Sequence, residues 1–154
     1  MSFLYSVRYW IYIYIYIYNC TSKPDCPLQG KCLVDKVVYQ AEVKTDKEKQ
    51  TYVGLCATSF KDRYRNHKSS FKHFQRKTTL AGHICDLAEN GEKYEIEWKV
   101  IGRAQPFSPI SGICNLCTLE KYHIIFTPEL ATLNKKEEIN NSCLHRDSLL
   151  LDKT

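Results

Sequence analysis

The sequence has no run long and aliphatic enough to cross a bilayer as a helix. Such a helix needs about 18 apolar residues, and the most apolar stretch, residues 3–18, is cut by Arg8 and filled with tyrosines. A secretion signal is missing too. It would need a basic start, an aliphatic stretch and a small-residue cleavage site, whereas Arg8 interrupts and no small pair precedes Cys20. No membrane partner is therefore expected, and a nuclear or intracellular location is. A strong excess of one charge is absent: 22 Lys+Arg against 17 Asp+Glu leave +5 over 154 residues, which permits a polyanionic partner without demanding one. With 44% hydrophobic and 25% charged residues, neither wholesale disorder nor a polytopic membrane protein fits. No long internal repeat exists beyond one in the first eighteen residues, and the length suits one domain with a short appendage.

Aromatic residues are distributed unevenly. Eight of the 19 fall within residues 1–18, where Arg8 is the only charge. There, Ile11-Tyr12-Ile13-Tyr14-Ile15-Tyr16-Ile17-Tyr18 is a perfect dipeptide repeat. Its period is that of a β-strand with an Ile face and a Tyr face. An alternating A/T microsatellite also encodes it, since ATA and TAT specify Ile and Tyr. Residues 1–18 are accordingly expected to be a translated repeat outside the fold. The run is β-prone and free of Pro, which makes it an aggregation hazard.

Residues 19–35 form a Cys-rich segment punctuated by Pro and Gly. Val37–Val43 and Gln50–Cys56 are β-branched and aromatic runs around the polar Lys44–Lys49 stretch, which predicts an antiparallel hairpin. Thr58 or Ser59 can cap a helix to about Phe74, and Thr78 or Thr79 a second one ending at Asn90-Gly91. Tyr94, Ile96, Trp98 and Val100 alternate with charged residues as in a half-buried strand. Gln105–Gly112 is a loop, and Ile113–Phe126 a largely buried helix stopped by Pro128. The expected fold class is α+β: a small three-stranded antiparallel sheet flanked by helices, in the order β-β-α-α-β-α.

The densest basic stretch runs from Lys61 through Arg63, Arg65, Lys68, Lys72 and Arg76 to Lys77, with Asp62 its only acid. Arg63 and His67 share a helix face at i, i+4 spacing, near Ser70 or Phe71. Such a face can grip a phosphate between a guanidinium and an imidazole; it can equally be a solvated helix surface. Lys61, Arg65, Lys68 and Lys72 are the candidate DNA contacts.

Val37-Val38-Tyr39, Tyr52-Val53-Gly54, Arg63 with His67, Glu120 and Asn134 follow one another along the chain. That ordered set over residues 36–135 resembles the GIY-YIG nuclease family, although Val37-Val38 stands where the family usually has Gly-Ile. The stretch from Asn19 to about Leu151 resembles, more closely, the C-terminal endonuclease module of Penelope-like retroelements. The matching segments are Cys26-Pro27-Leu28-Gln29-Gly30-Lys31-Cys32, Val38-Tyr39-Gln40-Ala41, Thr51-Tyr52-Val53-Gly54-Leu55, Phe60-Lys61-Asp62-Arg63-Tyr64-Arg65-Asn66-His67, Cys114-Asn115-Leu116-Cys117 and Cys143-Leu144-His145-Arg146.

The resemblance implies a divalent-metal-dependent endonuclease that nicks DNA, a fragment of a retroelement protein whose original partner was a reverse transcriptase domain. Glu120 would hold Mg²⁺ or Mn²⁺ against the scissile phosphate. Tyr39 would be the general base or part of a relay to it, a demanding role for a phenol at neutral pH. Arg63 would stabilise the developing charge, His67 would orient water or phosphate, and Tyr52 would position the nucleophile. Asn134 would be structural or contact phosphate. Read without the family, Tyr39 and Tyr52 are hairpin core residues and Glu120 is half of a surface ion pair. The rival function is a catalytically inactive zinc-binding module that binds nucleic acid.

Eight cysteines could form four disulfides in a secreted protein. Metal spacing accounts for more of them. Cys114-x2-Cys117 with Cys143-x-His145 makes a Cys₃His set suited to structural Zn²⁺. It would tie the tail, residues 136–154, to the start of the helix carrying Glu120. Cys20, Cys26 and Cys32 are evenly spaced candidates for a second site. In Penelope-like modules a fourth Cys commonly stands at the position of Tyr18. The site is therefore broken, completed by His145 or His123, or pooled with the first. Cys56 and Cys85 follow apolar-pattern positions, as buried thiols do.

Overall fold

The structure is a computed structural model and describes residue 20, residues 23–140 and residues 142–146. The Ile-Tyr run, Tyr18 included, lies outside the described residues. Among the described residues no helix is long and apolar enough to cross a membrane.

Three strands form one antiparallel sheet, β1 (Asp35–Lys44), β2 (Lys49–Ser59) and β3 (Glu95–Arg103), in the order β2-β1-β3. Helices α1 (Phe60–Lys72) and α2 (Thr79–Glu89) follow β2, and α3 (Asn115–Phe126) follows β3. The β1–β2 hairpin and the half-buried β3 form as the alternation of their sequences predicts. The central strand β1 is buried on both faces, because helices cover both sides of the sheet. Val37, Tyr39, Ala41 and Val43 face a core completed by Phe60, Leu80, Ile84, Leu87 and Trp98. Val38, on the opposite face, packs with Val53, Leu116 and Ala131. Each fully buried aliphatic side chain contributes about 1.5–3 kcal/mol. Cys20 and Cys32 join the first core, which anchors the N-terminal Cys-rich segment there.

Helix starts sit at the expected caps. The Ser59 hydroxyl accepts from the Asp62 amide at 3.3 Å and donates to its carboxylate at 2.8 Å. Thr78 accepts from the Ala81 amide at 3.1 Å. Cys114 is the N-cap of α3, its sulfur taking the Cys117 amide; the helix thus starts two residues after the predicted Ile113. Side chains of this kind satisfy amides that the first helical turn leaves without backbone partners.

Register brings the two tyrosine motifs together. Tyr39 pairs with Gly54 across the hairpin, and Ala41 with Tyr52. A side chain at position 54 would place its Cβ 2.5 Å from the Tyr39 hydroxyl and 2.7 Å from its ring, so glycine there lets the phenol lie across β2.

The outer edge of β2 is covered by the chain that leaves α3. The Thr132 hydroxyl accepts from the Thr51 amide at 2.8 Å, and the Leu133 amide donates to the Thr51 carbonyl at 2.8 Å. The Asn134 side chain then takes both backbone groups of Val53: Oδ1 accepts from its N–H at 2.8 Å and Nδ2 donates to its C=O at 2.9 Å.

Candidate functional site

Helix α1 buries only Phe60, His67 and Ser70. An imidazole therefore occupies a position where a helix would ordinarily place an apolar residue. His67 stacks against Phe71, with ring centroids 5.9 Å apart, and lies 5.4 Å from Trp98. Burial, and after it the charge of Arg63, lowers its pKa to about 4. The imidazole is thus neutral in the physiological range.

The Tyr39 hydroxyl lies 2.7 Å from His67 Nε2. The Arg63 guanidinium acts on the same phenol, chiefly through its charge. The phenol and Nε2 thus share one hydrogen bond, whose donor follows the His67 tautomer. Burial raises the Tyr39 pKa above the ordinary phenol range, against the lowering effect of Arg63. Tyr52 is likewise raised by burial, and next by Tyr39 and Glu138. The Arg63 charge also acts on Glu120 and Cys56, so one guanidinium sits at the centre of the constellation.

A cleft of about 440 Å³ opens in front of it, with Tyr52, Arg63, Asn66, Lys77, Glu120 and Glu138 in its walls. The Glu120 carboxyl is pushed up to about 7 by burial and then by the neighbouring Glu138 carboxylate, against the opposing pull of Arg63. Tyr39 and His67 do not line this cleft; Tyr39 has no exposed surface and forms the layer behind it. Five of the six predicted catalytic residues, all but Asn134, are thus joined by the cleft itself or by contacts directly beneath it. Asn134 is structural, fixed on Val53 and donating to Glu138 at 2.7 Å.

Lys61, Arg65, Lys68 and Lys72 do not line the cleft. Arg65 lies 3.8 Å from Asp62, and the Lys68 ammonium sits 5.5 Å from the centre of the Tyr64 ring. Glu138 is the participant that sequence reasoning did not find. Its two oxygens accept from Asn134 and, at 3.0 Å, from Thr79, contacts between segments that no local pattern links.

The Cys114, Cys117, Cys143 and His145 ligand atoms all lie within 4.8 Å of one another. The His145 Nδ1 is 3.3 Å from the Cys114 and Cys117 sulfurs and 3.6 Å from that of Cys143. A tetrahedron with ~2.3 Å metal–sulfur bonds has edges of about 3.8 Å, so this set could hold a metal ion. Burial alone would raise the Cys143 thiol, but the His145 backbone and the Cys117 and Cys114 side chains hold it below the usual range. Ser142, Leu144 and His145 also line the cleft, so the same cluster shapes one of its walls.

Cys20, Cys26 and Cys32 form a separate three-thiol group that could also hold a metal. The two groups are not pooled: His145 belongs to the first, and the His123 ring lies 3.4 Å from the Thr127 hydroxyl. All eight cysteines are free in the structure. Cys56 and Cys85 are buried as expected, and burial pushes the Cys56 thiol up to about 11. Compared with protein-family models, curated proteins and solved structures, the chain matches none, so its site is read from its own residues.

Proposed function

We propose that the cleft is the active site of a divalent-metal-dependent endonuclease of the GIY-YIG type, related to the Penelope-like module, that nicks DNA. The observation that carries this reading is the convergence of Arg63, Tyr52 and Glu120 on one cleft, backed by the Tyr39–His67 hydrogen bond. A cation fits the donor set. Two carboxylates, Glu120 and Glu138, share the cleft, and burial together with Glu138 opposes ionisation of Glu120. Carboxylate oxygens are hard donors suited to Mg²⁺ or Mn²⁺. When bound by Glu120, such an ion supplies Lewis acidity toward a phosphate oxygen.

The remaining roles belong to the chain. Arg63 offers fixed positive charge to the phosphate as negative charge develops on it. The Tyr52 hydroxyl orients the attacking water. Tyr39, sealed from the cleft, works as a relay: it lies under the charge of Arg63 and is hydrogen-bonded to neutral His67. That arrangement gives a proton an acceptor outside the cleft. Zn²⁺ in the Cys₃His set would fix the tail against α3, three residues from Glu120.

Nicking of supercoiled plasmid with Mg²⁺ or Mn²⁺ tests the proposal. Wild-type protein should convert plasmid to open circles, and Glu120→Gln and Arg63→Ala should each lose at least a hundredfold in rate. Equal residual nicking in all three would reject it and favour a zinc-binding module that binds nucleic acid without cutting it.

A further inference from the structure

A second concavity of about 290 Å³ lies behind the cleft and shares Arg63, Asn66, Lys77 and Thr78 with it. Its other walls come from His67, Ser69 and Ser70 on α1 and from Gln75 in the loop before α2. That loop folds back on the helix: the Gln75 amide donates to the Ser70 carbonyl at 2.9 Å. The lining contains two permanent cations, several neutral hydrogen-bonding groups and no carboxylate. Thr78, the N-cap of α2, also lines it, and no acid occupies the first turn of that helix.

Two polar side chains of largely buried residues line this space. Ser70 is 8% exposed, and among the described residues its hydroxyl has no hydrogen bond. His67 is 3% exposed, with Nε2 taken by Tyr39 and Nδ1 unpartnered among the described residues. Lys77 has no ion pair among the described residues. The buried donor without an acceptor at this site is Arg63 Nε, and such an atom costs roughly 1–3 kcal/mol.

We infer that this concavity is a phosphate subsite, holding a backbone phosphodiester next to the scissile one through Lys77, Ser70 and His67. The inference rests on the endonuclease reading for its ligand, not for its geometry. Arg63, in the wall between the two spaces, faces both phosphates. The substrate is then gripped on either side of the bond to be cut, a positioning device of the kind that raises rate through orientation.

Titration of the full chain with inorganic phosphate, followed by amide NMR shifts, tests the subsite directly. The amides of Ser70, Lys77, Thr79 and Leu80 should move and saturate together. Lys77→Ala and Ser70→Ala should each weaken that binding at least fivefold. With a short DNA duplex as probe, Lys77→Ala should also lower the salt-dependence slope of binding by about one. Shifts confined to other surfaces, or both variants binding phosphate as wild type does, would overturn the inference. Phosphate bound here by a protein that never nicks DNA would uphold the subsite while removing the endonuclease reading. Full nicking and unchanged duplex binding in the double variant would do the reverse.

Discussion

His67 and Gly54 carry the strongest consequences at the level of single residues. A histidine whose folded pKa is depressed from 6.5 to about 4 binds its proton more readily when the chain is unfolded. Its contribution is therefore complete above pH 6.5 and is lost as pH falls toward 4, by on the order of 3 kcal/mol in all. Chemical denaturation at steps between pH 7 and 4 should show this decline, and His67→Gln should flatten it. Gly54→Ala would bring a methyl group onto the Tyr39 ring and hydroxyl. The overpacking should cost about 1–3 kcal/mol and break the hydrogen bond to His67. The expected result is a folded protein with nicking reduced at least tenfold, read by thermal unfolding alongside the plasmid assay. The tyrosine motif was legible in the sequence, but the reason for its glycine was not. That reason is a contact across the hairpin, fixed only once Tyr39 and Gly54 come into register.

The elements themselves were legible wherever local chemistry settled them. Ser59 and Thr78 mark helix starts by their own hydroxyls, and the period-two pattern of Ile96, Trp98 and Val100 marks a strand. The cover on β2 could not be read, because residues 132–134 carry no periodic pattern and acquire their role only against strand backbone. Asn134 illustrates this: its place in the motif order said nothing of the paired hydrogen bonds it makes to Val53. Asn134→Ala removes both, leaves two backbone groups unsatisfied and frees Glu138. A loss of about 2–3 kcal/mol is expected, with faster amide exchange at Val53. Asn134→Asp should recover only the bond from the Val53 amide, since a carboxylate cannot donate to the carbonyl.

For the whole molecule, the Cys₃His cluster joins segments far apart in the chain. Cys114 and Cys117 begin α3, whereas Cys143 and His145 lie in the tail. Sequence spacing was enough to assemble this set, because each half is a short-range pair. The two-carboxylate cleft was not found, since Glu138 reaches Glu120 only after the tail has folded back. Metal removal should expose that dependence. A strong chelator, or Cys143→Ser, is expected to lower the unfolding temperature and to reduce nicking even with Mg²⁺ restored, because Leu144 and His145 form part of the cleft wall. Metal content per chain should fall by one equivalent in Cys143→Ser; unchanged content and unfolding temperature would refute a metal at this cluster.

The strip along the outer side of β2 has one more effect. Thr132, Leu133 and Asn134 occupy the Thr51 and Val53 main-chain groups that an incoming strand would need. The opposite border of the sheet, β3, carries Glu95, Glu97 and Lys99, the kind of charged edge that discourages strand addition. A chain whose own beginning is an uninterrupted Ile-Tyr repeat thus offers that repeat no docking rail along these residues.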